Sequence, residues 1–153
     1  MKVFDYNYYI TKPPLSNFDI LQLVNQMNNK RMLKNFKGVF MRNEISGIPK
    51  LKECGIINLD DKENKGTHWV CYFICNSSIA YYFDSFGLYP PIKLQNYLKE
   101  YNIIGSNFQL QDFNTNYCGY YCLYILELLS LGFDYEKIVI HNKNLILNFE
   151  KKV

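Results

Sequence analysis

Three residues in this chain are of the types that combine into an activated nucleophile: His68, Asp84 and Cys118. His68 lies inside an apolar run, GTHWVCYFIC (66–75), and Asp84 near the end of the next one, IAYYFDSFG (79–87). The two runs are β-rich and separated by Asn76, Ser77 and Ser78, a hairpin signal. If the loop is Cys75-Asn76-Ser77, Ile74 faces Ser78, and the same register puts His68 directly opposite Asp84, roughly 5 Å apart at Cβ. A five-residue loop over 74–78 keeps that register. A loop of two or four residues would send the side chains to opposite faces. A carboxylate beside an imidazole fixes its tautomer and stabilises the imidazolium. The plain alternative is a buried His–Asp pair that serves packing alone.

Cys118 precedes Gly119 at the start of an apolar stretch, CGYYCLYILELLSL, and the polar NTN (114–116) runs up to it. A helix N-terminus presents backbone N–H groups and the positive end of a dipole, and both favour a thiolate. The small residue after the thiol leaves the backbone open to a substrate. The competing reading is an ordinary buried cysteine, a role that suits Cys71, Cys75 and Cys122 better. Gln111 lies upstream of Cys118, where an amide donor and the Cys118 N–H could steady a tetrahedral oxyanion. Gln109 competes for that role.

The elements that must position these residues follow from pattern. Ser16 reads as the N-cap of an amphipathic helix over 16–27, with Phe18, Leu21 and Val24 on its apolar face. Strands are expected at 36–41, 53–60, 67–75 and 79–86, with a polar loop over 58–66. Pro91 opens a helix over 92–101, a short strand is expected within 107–113, and a buried helix follows over 118–131. An amphipathic helix over 133–152 ends the chain, with His141 read as a solvated surface residue. The expected fold is α+β, helices packed on a small mixed sheet, as a single domain over 1–153.

Bulk composition bounds the function. The 153 residues are 48% hydrophobic and 17% aromatic, enough for a real core and far from a disordered composition. The net charge of +3, without a dense Lys/Arg cluster, argues against a dedicated nucleic-acid binder. MKVFDYNYY lacks the apolar core of a signal peptide, and YYCLYILELLSLGF is too short to span a bilayer and is broken by Glu127. Five cysteines are an odd count and argue against a disulfide framework. A protein that is neither secreted nor membrane-bound is expected.

GTHW, then FDSFG, then a glutamine before CGYYC resembles the adenovirus-type maturation cysteine proteases, the adenain-like group of the clan that includes the SUMO-specific proteases. The order His, Asp, Gln, Cys matches that clan, and FKGVFMRNEI with KECGIINLDD resembles the segment leading to its histidine. The match covers roughly residues 36–131; the first helix and the tail lie outside it. The resemblance implies Cys118 as nucleophile, His68 as general base and then acid, Asp84 as the orienting carboxylate and Gln111 as oxyanion donor. Asp84 stands where adenoviral enzymes carry glutamate. Gly66, Trp69 and Gly119 would line the substrate groove. It further implies cleavage of viral polyprotein or capsid precursors after small residues, in the virion or in the host cytoplasm or nucleus. No cofactor is implied. The expected partner is a protein substrate, with a peptide or DNA activator open and a monomer as the default.

The same catalytic order serves ubiquitin-like and SUMO-type deconjugating proteases and a group of thiol acyltransferases, all passing through an acyl-enzyme. A non-enzyme reading, a zinc or scaffolding domain, rests on Cys71-x3-Cys75 and Cys118-x3-Cys122 with His68 nearby. A three-residue spacer in apolar runs is not zinc-knuckle spacing.

Overall fold

A computed structural model of the chain describes residues 14–29, 33–60, 68–106, 109–110 and 116–141. Five strands form one sheet in chain order: β1 (Phe36–Met41), β2 (Cys54–Asn58), β3 (Trp69–Ile74), β4 (Ile79–Phe83) and β5 (Asn102–Gly105). The outer pairs, β1–β2 and β4–β5, are parallel, and the two inner pairs are antiparallel. The sheet is therefore mixed, as expected. All six residues of β3 are buried, which requires cover on both faces.

The period of two in β3 sorts its side chains between two cores. Trp69, Cys71 and Phe73 join one core with residues of α1 (Asn17–Asn29), α3 (Cys118–Ser130) and α4 (Tyr135–His141). Val70, Tyr72 and Ile74 join the other with Leu94, Tyr97 and Leu98 from α2 (Ile92–Tyr97) and the turn after it. Eleven of the thirteen residues of α3 are buried, so this helix is apolar all round because it lies inside the molecule.

α1 begins with a reciprocal cap. Ser16 Oγ accepts the Asp19 N–H at 3.1 Å, and Asp19 Oδ2 accepts the Ser16 N–H at 2.9 Å. Its buried face is Ile20, Leu23, Val24 and Met27. Phe18 and Leu21, expected on that face, are 76% and 40% exposed. The helix meets the core through residues three and four apart counted from Ile20, which turns the expected stripe by about one position.

Other boundaries also differ from expectation. α2 stops at Tyr97, where Leu98 leaves helical geometry and Tyr101 N–H turns back to Leu98 O at 2.9 Å. The fifth strand is the NIIG segment, tied to the hairpin tip by Asn102 N–H to Ser78 O at 2.7 Å, and not a strand within 107–113. Residues 109–110 are not strand, and the rest of that segment lies outside the described residues. So does all of the expected last helix beyond His141.

A buried polar network fastens the second core. Glu53 Oε2 accepts both the Tyr72 and Tyr97 hydroxyls at 2.6 Å, and Lys37 Nζ donates to the Tyr97 oxygen at 3.0 Å. Burial, reinforced by the Glu53 carboxylate, pushes both phenols up, so they remain donors. Gly55 has to be glycine here: a Cβ would sit 2.7 Å from a Tyr72 ring carbon. Among the described residues, no helix is long and apolar enough to cross a membrane.

Candidate active site

The site lies at one end of the sheet, where β3 begins, β4 ends and α3 begins. The β3–β4 ladder pairs Cys71 with Phe83 and Ile74 with Ala80. Cys75 N–H donates to Ile79 O at 2.9 Å, so the three-residue loop is 76–78. The register is thus shifted by two residues from the one in which Ile74 faces Ser78. Asn76 Oδ1 fixes this loop by accepting the N–H groups of Ser78 and Ile79 at 2.8 and 2.9 Å, a local turn device that a loop starting at Cys75 lacks. A shift of two preserves the face. His68 and Asp84 therefore meet on a diagonal, with Nε2 2.6 Å from Asp84 Oδ1.

Both groups are deeply set. His68 is 6% exposed and Asp84 is wholly buried. Leu59 N–H holds the His68 carbonyl at 2.8 Å, which fixes the backbone just before β3. The chain after Asp84 leaves the ladder in a turn, with Gly87 N–H bonded to Asp84 O at 2.9 Å and Phe86 N–H to Asp84 Oδ1 at 2.8 Å. One carboxylate oxygen thus accepts from both the imidazole and a backbone amide. FDSF is strand only as far as Phe83 because that turn begins at Asp84.

Cys118 is the first residue of α3 and is 7% exposed. Its Sγ accepts the Trp69 backbone N–H at 3.4 Å, so the sulfur lies against the residue next to His68. The first helical bond of α3 is Tyr121 N–H to Tyr117 O at 3.0 Å. The N–H groups of Cys118 and Gly119 precede it and have no acceptor within the helix.

His68 feels opposing influences. Burial pulls its pKa down. The hydrogen bond to Asp84, the nearby Cys118 thiol and the charges of both groups outweigh it and raise the value from 6.5 to about 9. The imidazole is therefore charged at neutral pH. A cation beside a sulfur favours the thiolate.

Cys54, Cys71, Cys75 and Cys122 are free thiols. Burial pushes the Cys54 and Cys122 thiols well above the ordinary range and leaves them inert. Among the described residues, no group of three or more His, Cys, Asp or Glu side chains is arranged to hold a metal ion.

Trp69 and Gly119 stand beside the sulfur. The Trp69 indole N–H donates to Leu15 O at 2.9 Å. A Cβ on Gly119 would meet Leu15 Cδ1 at 3.1 Å, Leu15 Cβ at 3.3 Å and Trp69 Cδ1 at 3.4 Å. The direction in which a Gly119 side chain would project is thus filled by the segment that leads into α1. Gly66 and Gln111 lie outside the described residues. Gln109 is exposed, and Leu110 beside it donates its N–H to Ser85 O at 2.8 Å, so the approach to Gln111 is anchored on the turn after Asp84.

Two neighbours of the site escaped the sequence reading. Leu15 precedes the first helix, and nothing in its surroundings links it to Cys118. Phe86 stacks on His68 with ring centroids 4.1 Å apart and planes 9° apart. Phe86 reaches His68 through the turn after β4, a placement that strand periodicity does not report.

No protein-family model matches the sequence, and no curated protein does. Solved structures do match. The crystal structure of the ASFV pS273R protease has a TM-score of 0.60 at 16% identity, over 84% of this chain and 61% of that one. A selenomethionine form of the same protease has a TM-score of 0.54 at 16% identity, over 84% and 62%. The SUMO protease Ulp1, with its catalytic cysteine oxidised to a sulfinic acid, has a TM-score of 0.39 at 22% identity, over 95% and 67%. The chain spans less than two thirds of the length of the pS273R structures. The mixed five-stranded sheet with its flanking helices is an α+β fold, similar to that of the pS273R protease.

Proposed function

We propose that this chain is a cysteine endopeptidase whose reacting groups are Cys118, His68 and Asp84. The observation that carries the reading is the convergence of a helix-start sulfur, an imidazole and a buried carboxylate from three elements, with His68 2.6 Å from Asp84 and the Cys118 sulfur on the next residue's N–H. A packing pair needs no thiol at that place.

In this reading the Cys118 proton already rests on the His68 imidazolium, and the sulfur attacks the scissile carbonyl carbon. The carbonyl π electrons move to oxygen, where the Cys118 N–H and the Gln111 amide would donate to the oxyanion. As the tetrahedral adduct collapses, the C–N bond breaks and His68 gives its proton to the leaving amine. A water then enters, His68 takes its proton, the hydroxide adds to the thioester carbonyl, and the C–S bond breaks to release the free acid and leave the sulfur beside the imidazolium. Asp84 holds Nε2 throughout, which leaves the other ring nitrogen for the sulfur.

Support for the finer reading comes from sequence order and from the fold. The order His, Asp, Gln, Cys resembles adenovirus-type maturation proteases, and a protease of similar fold comes from ASFV. The substrate proposed is therefore a viral structural precursor, cut after a small residue, in the virion or infected cell.

The test is a peptide library rich in glycine sites, incubated with wild type and with Cys118→Ala and read by mass spectrometry. Cleavage after small residues by wild type alone is the expected result. Cleavage only of folded ubiquitin-like conjugates would replace the maturation role with deconjugation. An inert library together with a Cys118 that resists electrophiles overturns the enzymatic reading.

A further inference from the structure

Phe86 makes two contacts with the same pair. Its backbone N–H donates to Asp84 Oδ1 at 2.8 Å, the oxygen that also holds His68 Nε2 at 2.6 Å. Its ring lies on the imidazole at 4.1 Å with the planes 9° apart. Of the two ring faces of His68, one is therefore occupied by an aromatic π cloud. Such a face carries partial negative charge and attracts a cation within about 6 Å.

We infer that Phe86 is a positioning residue for His68: its stacked ring fixes the plane of the imidazole and stabilises the imidazolium that forms when the Cys118 proton is taken up. The inference rests on the proposed reaction for its meaning, but the contact itself does not. Imidazole rotation about its side-chain bonds would break the Asp84 bond and turn the second nitrogen away from the sulfur. The hydrogen bond to Asp84 pins one point of the ring; a parallel neighbour pins its plane. Among the described residues, the titratable groups that face His68 are Asp84, from the end of β4, and Cys118, from the start of α3. Both favour the charged form, and the ring of Phe86 adds to them from a third direction. Phe86 is only half-buried, so replacing its ring opens no deep cavity.

The experiment follows the His68 ring signals by NMR titration of the full chain carrying Cys118→Ala, so that no thiol titrates against the imidazole. Phe86 is replaced by leucine, and separately by phenylalanine carrying one, three or five ring fluorines. Fluorination drains the π face while nearly keeping the shape. The expected result is a His68 midpoint that falls stepwise with fluorine number and by roughly half to one unit in Phe86→Leu. Phe86→Trp should restore it. If Phe86→Leu fails to fold, the fluorinated series decides alone. A flat midpoint across that series overturns the inference.

In chains with Cys118 intact, the same series should lower kcat more than it raises KM. A change confined to KM, with no shift in the midpoint, would make Phe86 a substrate contact instead. Because the titration needs no turnover, a protein that cleaves nothing yet titrates as described would sink the proposed function and leave this relationship standing.

Discussion

The carboxylate of Asp84 is wholly buried, and its Oδ1 holds His68 Nε2 at 2.6 Å and the Phe86 N–H at 2.8 Å. In Asp84→Asn the amide oxygen can keep both contacts, but the negative charge is gone. Burial, which pulls the His68 pKa down, then acts with less opposition, and the midpoint falls from about 9. Turnover should drop by roughly a hundred- to ten-thousand-fold. His68→Ala removes the base itself and should cost more. Single-turnover rates on one cleavable peptide rank the two. Equal losses would mean that Asp84 does more than orient.

The raised pKa of His68 also makes stability depend on pH. The folded chain binds this proton more tightly than the unfolded one, in which the value is 6.5. The stabilisation is therefore full below about pH 6.5 and is lost as pH rises through about 9. Urea unfolding of wild type and His68→Gln between pH 5.5 and 10, on the order of ten points, should show a stability difference that is level at the acid end and shrinks across that window. A difference that grew with pH would contradict the charged histidine.

Gly119→Ala brings a methyl group to 3.1 Å from Leu15 Cδ1 and 3.3 Å from Leu15 Cβ. The first atom can swing away; the second is close to the backbone and cannot move far. Overpacking of this kind costs about 1–3 kcal/mol, offset in part by the better helix propensity of alanine. Thermal denaturation should register the loss. In the double variant with Leu15→Ala, which removes Cδ1 and keeps Cβ, the loss should be smaller than the sum of the two single losses, because the two sites share one space.

Removing Glu53 leaves two buried phenols without their common acceptor. Glu53→Ala should destabilise the fold by about 2–4 kcal/mol, and Tyr72→Phe by about 1 kcal/mol. The network binds β2, β3 and α2 on the face away from α3, so both variants should keep wild-type turnover at a temperature where they remain folded. A selective loss of kcat would show coupling across the sheet.

The residues that meet at the candidate site were legible because that reading depends on residue types and their order. A histidine, a carboxylate and a helix-start cysteine can be read from letters, and alternating apolar runs locate the inner strands. Geometry was less legible. Asn76 sets the hairpin loop with its side chain, and no periodicity reports that, so the register came out shifted by two. β5 is four residues long and largely exposed, and its pairing with β4 is parallel and non-local. Phe18 and Leu21 are apolar yet face out of α1, since a helix's buried arc depends on the neighbours it meets. Leu15 and Phe86 show the same limit from the other side, as ordinary apolar letters that reach the site only through tertiary contacts.

The bonds that converge on Trp69 also set the order in which the protein can become active. Its indole reaches back across 54 residues to Leu15, and its backbone N–H reaches forward across 49 to Cys118. A ribosome delivers the anchor first, the histidine and aspartate midway and the sulfur last. Until α3 emerges, the face of the sheet that carries Trp69, Cys71 and Phe73 lacks most of its cover, and Cys118 is not yet present. On the proposed function, a chain made in that order has no nucleophile at its site until α3 docks beside Trp69.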